Sequence, residues 1–100
     1  METTAVIFRK DRDGAKDCFA LFPELPSDVH GYFCTAFQHI GGHCAADYVG
    51  CIANSAPATP DEYAELRKEL EGRGYALNIR RRASPAMHDE RRRMAADWRK

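Results

Sequence analysis

The chain has 100 residues, which is enough for one domain with a small hydrophobic core. Because 44% of the residues are hydrophobic and the 15 basic residues balance the 15 acidic ones, the composition excludes an intrinsically disordered protein. No apolar run approaches the roughly 20 residues that a membrane span requires, and the N-terminus lacks a secretory signal. We therefore expect a cytoplasmic protein that does not bind membranes, with its four cysteines as reduced thiols.

Four stretches of the first half have the composition of β-strands. β-branched and aromatic residues predict strands at 3–10, 16–22 and 32–39. A fourth strand is predicted at 48–53, although Gly50 weakens its pattern.

The segments between these strands are predicted to be irregular. Two prolines predict a loop over 23–31, because a residue that precedes proline is restricted. The adjacent Gly41 and Gly42 permit a tight reversal of the chain. The sequence CAADY, residues 44–48, predicts a single helical turn.

The clearest element is a helix within residues 57–75. Thr59 is a good N-cap, Pro60 suits the first helical position and Glu62 completes a capping box. One apolar stripe follows the helical period at Tyr63, Leu66 and Leu70. We expect this stripe to share one core with the next strand, within 75–81, whose inward residues are Tyr75, Leu77 and Ile79.

A second helix is predicted within residues 83–100, where Ser84 can cap it and Pro85 can open it. Its apolar stripe is thin and consists of Met87, Met94 and Trp98, with the stem of Arg91 between them. This helix either packs on the sheet or extends away towards a partner. The predicted fold class is α+β: an antiparallel sheet of about four or five strands, one capped amphipathic helix packed on it, and a basic C-terminal helix. The domain spans 1–82, and 83–100 form a helix or tail of the same domain.

The charge is divided unevenly along the chain. Residues 1–79 carry seven Lys or Arg and twelve Asp or Glu, whereas residues 80–100 carry eight and three. Such asymmetry is typical of a binding tail. Arg93 lies four residues from both Asp89 and Asp97, so we expect its charge to be neutralised by ion pairs within the helix. Arg92 has no acidic residue four positions away. The predicted binding residues are Arg80, Arg82, Arg91, Arg92, Arg99 and Trp98.

These arginines are consistent with three interpretations. They could contact nucleic-acid phosphates, through the clusters Arg80–Arg82 and Arg91–Arg93. They could meet an acidic protein surface, including that of a second copy of this chain, since residues 1–79 are acidic. They could also form a solvated face without a partner.

Residues 35–52 bring histidines, cysteines and an aspartate together in sequence. His39, His43 and Cys44 are the weak candidates for a metal site, but no C-x2-C pair is present and the two glycines disfavour a helix that would align the histidines. Cys44, His43 and Asp47 have the residue types of a catalytic triad without a family signature around them. We expect no metal, no cofactor and no enzymatic activity.

Three segments carry a resemblance to known sequences. ALFPE (20–24), QH…H.AADY (38–48) and PATPDEY (57–63) resemble a group of small uncharacterised bacterial proteins of phages, plasmids and integrative elements. The resemblance covers roughly residues 5–80 and leaves the basic tail outside. It implies an accessory protein of a mobile element, such as an inhibitor of a host defence system of the anti-CRISPR kind. The expected function is a small non-catalytic protein-binding module that uses a basic C-terminal surface; the alternative is a nucleic-acid-binding protein.

Overall fold

The structure, a computed structural model, describes residues 2–12 and 17–99. The first residue of the predicted strand at 16–22 and the last residue of the predicted C-terminal helix lie outside these ranges. No helix within them is both long and apolar enough to cross a membrane. Along the described chain the elements are β1 (Thr4–Asp11), β2 (Cys18–Pro26), β3 (Cys34–Gln38), β4 (Gly42–Ala46), α1 (Tyr48–Ala53), β5 (Ser55–Pro57), α2 (Pro60–Gly72), β6 (Leu77–Ile79) and α3 (Pro85–Trp98).

One sheet runs through the molecule, with its strands in the order β4, β3, β2, β1 and β5, and with β6 also paired to β1. Neighbours in that order are antiparallel, whereas β6 is parallel to β1. Backbone groups of Thr4 and Val6 bond to the chain at β6, and the carbonyl of Phe8 accepts from Ala58, which follows β5. Because alternate residues direct their backbone groups to one edge, β5 and β6 share the outer edge of β1. β4 forms the opposite edge.

The first face of the sheet lies under α2. Leu66 and Leu70 pack there on buried side chains of β1, β2 and β3, which are Val6, Phe8, Ala20, Phe22 and Phe37. Tyr75, Leu77 and Ile79 pack against the same cluster, so the predicted core shared by α2 and the following strand is confirmed. Burial of this set removes several large apolar side chains from water, each worth about 1.5–3 kcal/mol.

The second face lies under α1 and α3. Its buried cluster consists of Ile7, Leu21, Cys34, Ala36 and Ala46. Tyr48, Cys51 and Ile52 of α1 pack against it. α3 packs on β2, and the His88 ring meets the Tyr48 ring edge to face at 4.8 Å between centroids. With helices on both faces of a mainly antiparallel sheet, the predicted α+β class is confirmed.

The start of α2 follows the prediction residue by residue. The Thr59 hydroxyl accepts from the Glu62 backbone N–H at 3.4 Å, and the Glu62 carboxylate accepts from the Thr59 N–H at 2.9 Å. Pro60 occupies the first helical position. The Tyr63 ring stacks on Phe8 with centroids 4.2 Å apart, which fastens this end of the helix to the sheet. Local capping and packing therefore favour the same helix.

The predicted strand at 48–53 is wrong, because these residues form α1. Its inward residues Tyr48, Cys51 and Ile52 are spaced by three and four positions, which is the helical and not the extended period. A six-residue helix is too short to be stable by itself. Its packing on the second face of the sheet outweighs the β propensity of Tyr, Val and Ile.

Two other local predictions need correction. Residues 44–48 do not form a helical turn: Gly42–Ala46 form β4, which returns antiparallel along β3. The reversal between them relies on the positive φ angles of Gly41 and Gly42, 104° and 70°, as the adjacent glycines predicted. β2 also continues to Pro26 through the first part of the predicted loop at 23–31, with an irregular register between Phe22 and Pro26.

Candidate functional site

Arg91 lies in the interior of the protein and not on the surface. Only 4% of the residue is exposed. Its Nε donates to the carbonyl of Gly31 at 2.9 Å, and its Nη1 donates to the carbonyl of Pro23 at 2.6 Å. Burial lowers the pKa of this guanidinium below its ordinary value. Arg91 therefore joins α3 to β2 and to the loop before β3, and it does not belong to the exposed binding surface that the sequence predicted.

The ring of His88 also contacts the guanidinium of Arg91. The Nδ1 atom of His88 lies 2.7 Å from Arg91 Nη1. Burial, followed by the charges of Arg91 and Arg92, lowers the pKa of His88 below its ordinary value. A neutral ring can accept a hydrogen bond from a guanidinium at Nδ1, whereas a protonated ring cannot. The direction of the pKa shift and the contact thus agree.

The inward stripe of α3 is rotated from the predicted one. Its buried residues are Met87, Arg91 and Ala95, which are four positions apart along the helix. Met94 is only partly buried, and 53% of Trp98 is exposed. Of the predicted apolar stripe Met87, Met94 and Trp98, only Met87 is buried, and Trp98, which is also a predicted binding residue, lies at the surface.

Two further arginines of α3 are paired within the helix. Arg93 binds Glu90 through two nitrogens, and its Nη1 lies 3.2 Å from a carboxylate oxygen of Asp97. Arg92 Nη1 lies 3.2 Å from a carboxylate oxygen of Asp89, three residues earlier, whereas the sequence prediction considered acidic residues four positions away. The predicted neutralisation of Arg93 through Asp97 is confirmed, while Asp89 serves Arg92. Both pairs are exposed, so each is worth little in stability.

A surface loop packs on the second half of α3. Residues 27–33 join β2 to β3, and Ser27 and Phe33 bond to each other through their backbone. Gly31 adopts a φ of 71°, and a side chain there would lie 3.1 Å from the Arg92 Cα. His30 Nδ1 lies 3.1 Å from Arg99 Nη1 at the end of the helix. The loop and the end of α3 are therefore held side by side.

Around this contact, large apolar side chains face solvent. Tyr32 is 69% exposed, Trp98 53%, Val29 51% and Phe33 38%. The rings of Tyr32 and Phe33 meet edge to face with centroids 5.1 Å apart. We name these four residues, together with Arg99, the loop–helix patch. Exposed apolar groups concentrated in one region mark contact sites more often than single exposed side chains do.

Arg80, Arg81 and Arg82 lie at the other end of α3. All three are exposed, and within residues 2–12 and 17–99 their side chains form no ion pair. α3 has 14 residues, so this triplet lies about 20 Å along the helix from Arg99. The structure thus divides the predicted arginine surface into a triplet before α3 and a single Arg99 after it.

The histidines of residues 35–52 serve separate contacts. His39 Nδ1 lies 2.6 Å from Glu69, and His43 Nε2 lies 2.9 Å from the Tyr75 hydroxyl. His43 and Cys44 are consecutive in β4, so their side chains point to opposite faces of the sheet. In the described part of the chain no three His, Cys, Asp or Glu side chains are grouped so that they could hold a metal ion.

An open groove of about 560 Å³ lies between α2 and the ends of β2 and β3, and it contains Cys18, His39 and Glu69. The Cys18 thiol donates to the carbonyl of Glu62 at 3.3 Å. Burial, followed by the charge of Glu62, raises the pKa of Cys18 above its ordinary value. A nucleophilic cysteine requires a lowered pKa and a base in contact. In this groove the Cys18 thiol contacts the Glu62 carbonyl, while His39 pairs with Glu69, and the raised pKa of the thiol disfavours the thiolate.

Cysteine accessibility provides a first prediction. Cys34 is fully buried, and burial raises the pKa of its thiol to about 11, whereas Cys44 is exposed on β4. We expect iodoacetamide at pH 8 to alkylate Cys44 rapidly and Cys34 only when the fold opens. Peptide mass spectrometry over a time course measures both rates, and denatured protein provides the control in which they converge. Equal rates in the native protein would contradict the described burial.

The sequence reasoning missed the loop residues of the patch. Tyr32 and Phe33 were assigned to a strand, where two consecutive aromatic residues would face the two buried sides of a sheet. Both precede the strand in the structure, which starts at Cys34. The turn-rich sequence SDVHG (27–31) predicts the loop only as far as Gly31, and the strand-forming composition of Tyr32 and Phe33 carries no local signal that would extend it.

The fold and the patch together define a small α+β domain with exposed aromatic residues at one end of its C-terminal helix. Comparisons with protein-family models, curated proteins and solved structures found no match to this chain.

Proposed function

We propose that this chain is a small non-catalytic protein-binding module and that the loop–helix patch is its main contact surface. The observation that carries the proposal is the exposure of Tyr32, Trp98, Val29 and Phe33 around one contact between a loop and a helix. Exposed aromatic residues with an adjacent arginine have the composition of energetic centres in protein interfaces.

The partner that fits this surface has an apolar pocket with acidic groups at its rim. Arg99 provides a cation at the edge of the patch, where its Nη1 lies 3.1 Å from Nδ1 of His30. A carboxylate of the partner could therefore pair with it. In the narrower form of the proposal, this partner is a cytoplasmic host defence protein, and the chain is a mobile-element inhibitor of the anti-CRISPR kind. The resemblance of residues 5–80 supports that narrower form.

Point substitutions test the surface better than truncation of the tail. α3 buries Met87, Arg91 and Ala95, so its removal would damage the fold as well as any interface. Trp98 and Tyr32 are exposed, and their replacement leaves the core intact.

We expect the double variant Tyr32→Ala/Trp98→Ala to lose at least about a hundredfold in affinity for the partner, since each anchor contributes about 2 kcal/mol or more. The matched control is Ile40→Ala, which removes an 85% exposed apolar side chain elsewhere. A quantitative pull-down from a bacterial host lysate, followed by titration of the captured protein by calorimetry, compares the three chains. Capture that is equal for wild type and the double variant would refute the proposed surface.

Nucleic-acid binding is the second candidate, and the exposed triplet Arg80–Arg82 favours it. Phosphate contacts release counterions, so affinity would fall steeply with salt. With about three phosphate contacts, the slope of log K against log salt would be about −3. Fluorescence anisotropy with duplex DNA and single-stranded RNA, for wild type and Arg81→Ala/Arg82→Ala, tests this candidate. Absence of binding at low salt would eliminate it.

A further inference from the structure

β4 is an open edge of the sheet. β3 pairs with it along one side, from Gly42 to Ala46, and no strand of the described chain lies on its other side. The three central residues, His43, Cys44 and Ala45, are exposed. A side chain added at Gly42 would meet nothing within 4 Å. Alternate residues of β4 therefore present their backbone N–H and C=O groups to solvent.

This edge lacks the protection that solitary edge strands usually have. Lysine, proline, inward-pointing charges and strong bulges block edge pairing in monomeric proteins. From Ile40 to Ala46 the chain reads IGGHCAA, with no Lys, Arg, Asp, Glu or Pro. The strand is thus able to accept another strand without burying a charge.

The strand is complementary to a second copy of itself. In an antiparallel pairing that uses all five residues of β4, the middle residue, Cys44, faces Cys44 of the other copy. His43 then faces Ala45, and Gly42 faces Ala46. Small side chains meet at each position except His43, and no like charges are brought together.

Two exposed aliphatic residues flank β4 along the chain. Ile40 is 85% exposed and Val49 is 73% exposed. Ile40 lies in the turn before β4 and Val49 lies in α1 after it. They are the two most exposed large aliphatic side chains among the described residues, and apolar surface near an open edge favours association.

We propose that β4 is a self-association edge through which two copies form a symmetric dimer, with their sheets continuous across an antiparallel β4–β4 pairing centred on Cys44. The two-fold axis closes this pairing, so the assembly stops at two chains. The overlap is short, which makes the dimer weak and dependent on concentration. β4 shares no residue with the loop–helix patch, so this dimer is independent of the proposed function.

Substitution of Cys44 by charged residues of opposite sign tests the pairing. Cys44→Lys and Cys44→Glu each place like charges opposite each other, so we expect each variant alone to dimerise at least about tenfold more weakly than wild type. In an equimolar mixture the lysine of one chain faces the glutamate of the other, and dimerisation should recover. Ala64→Lys adds the same charge at an exposed position of α2 and should leave self-association unchanged.

Sedimentation equilibrium of the full chain under reducing conditions, from about 10 μM to 1 mM, measures each association constant. A mass that remains that of one chain throughout, a dimer that is unaffected by either charge, or a mixture that fails to recover would each overturn the proposal. Growth beyond two chains would also overturn it, because a pairing without a two-fold axis would remain open.

Covalent trapping provides an independent measurement. With added copper–phenanthroline and oxygen as the oxidant, two Cys44 thiols lose two protons and two electrons to form one disulfide between the copies. We expect a covalent dimer in wild type and in Cys51→Ser, and its loss in Cys44→Ser. A covalent dimer that persists in Cys44→Ser would place the contact elsewhere.

Discussion

An Arg91→Met variant is expected to unfold with a free energy about 3–5 kcal/mol lower than that of wild type, the cost of removing one partner from a buried charged network. Methionine fills much of the same volume, so the loss of unfolding free energy reflects the missing hydrogen bonds and not a loss of packing. Without the guanidinium, the carbonyls of Pro23 and Gly31 lose the donors that reach them from α3. Urea denaturation followed by circular dichroism measures the change.

The matched control is Arg92→Met, on the next position of the same helix. Its side chain is 62% exposed and pairs with the exposed Asp89, so we expect a change within about 0.5 kcal/mol. If Arg91→Met were as stable as Arg92→Met, the buried network would have no structural role. Arg91 would then return to the candidates for a functional surface.

An Arg9→Met variant is expected to lose about 2–4 kcal/mol of unfolding free energy, because three hydrogen bonds of a buried cation disappear together. Arg9 is 6% exposed. Its guanidinium donates to the Ser55 hydroxyl at 2.8 Å, to the Ser55 carbonyl at 2.8 Å and to the Ile52 carbonyl at 3.0 Å. These bonds connect β1 to the end of α1 and to β5. The Ile52 carbonyl lies in the last turn of α1, where carbonyl groups have no donor within the helix.

Lys10→Met is the control for this substitution. Lys10 is adjacent in β1 and pairs with Glu62 at 2.7 Å, in a contact where both side chains are about one-third exposed. A surface pair of this kind contributes about 0–1 kcal/mol. Hydrogen exchange adds a local measurement: relative to wild type, Arg9→Met should increase the exchange rates of amides 51–57 more than those of α2. An equal increase in both segments would mean that Arg9 does not hold α1 in place.

The elements that could be predicted are those whose signals are local. The capping box at Thr59, the proline that follows it and the stripe of Leu66 and Leu70 all act within one helix, and the structure reproduces them. The strand at 77–79 alternates over a few residues and faces the core as predicted. These signals depend on dihedral preference and on a period, which the chain carries without its partners.

The elements that could not be predicted depend on distant contacts. Residues 48–53 have the composition of a strand, yet they form α1 because Tyr48, Cys51 and Ile52 find a buried face formed by β1, β2 and β3. In the same way, the tyrosine hydroxyl of Tyr48 accepts from the Ala83 N–H at 2.8 Å, a contact between residues 35 positions apart. No window of sequence contains such a partner.

The candidate site shows the same division. The basic excess of residues 80–100 and the neutralisation of Arg93 through Asp97 follow from composition and helical spacing. The burial of Arg91 does not, because its acceptors belong to β2 and to the loop before β3, 68 and 60 residues earlier. Tyr32 and Phe33 come to lie beside the end of α3 only when that loop packs on the helix.

By itself, the sequence determined the class of fold, the position of the capped helix and the concentration of positive charge at the C-terminal end. Only the tertiary structure decided which of those charges face solvent, which aromatic rings remain exposed and which strand is left at the edge. The physical reason is that helix caps and charge balance are properties of neighbouring residues. Burial and edge position, in contrast, are properties of the packed sheet, and they exist only after distant segments have come together.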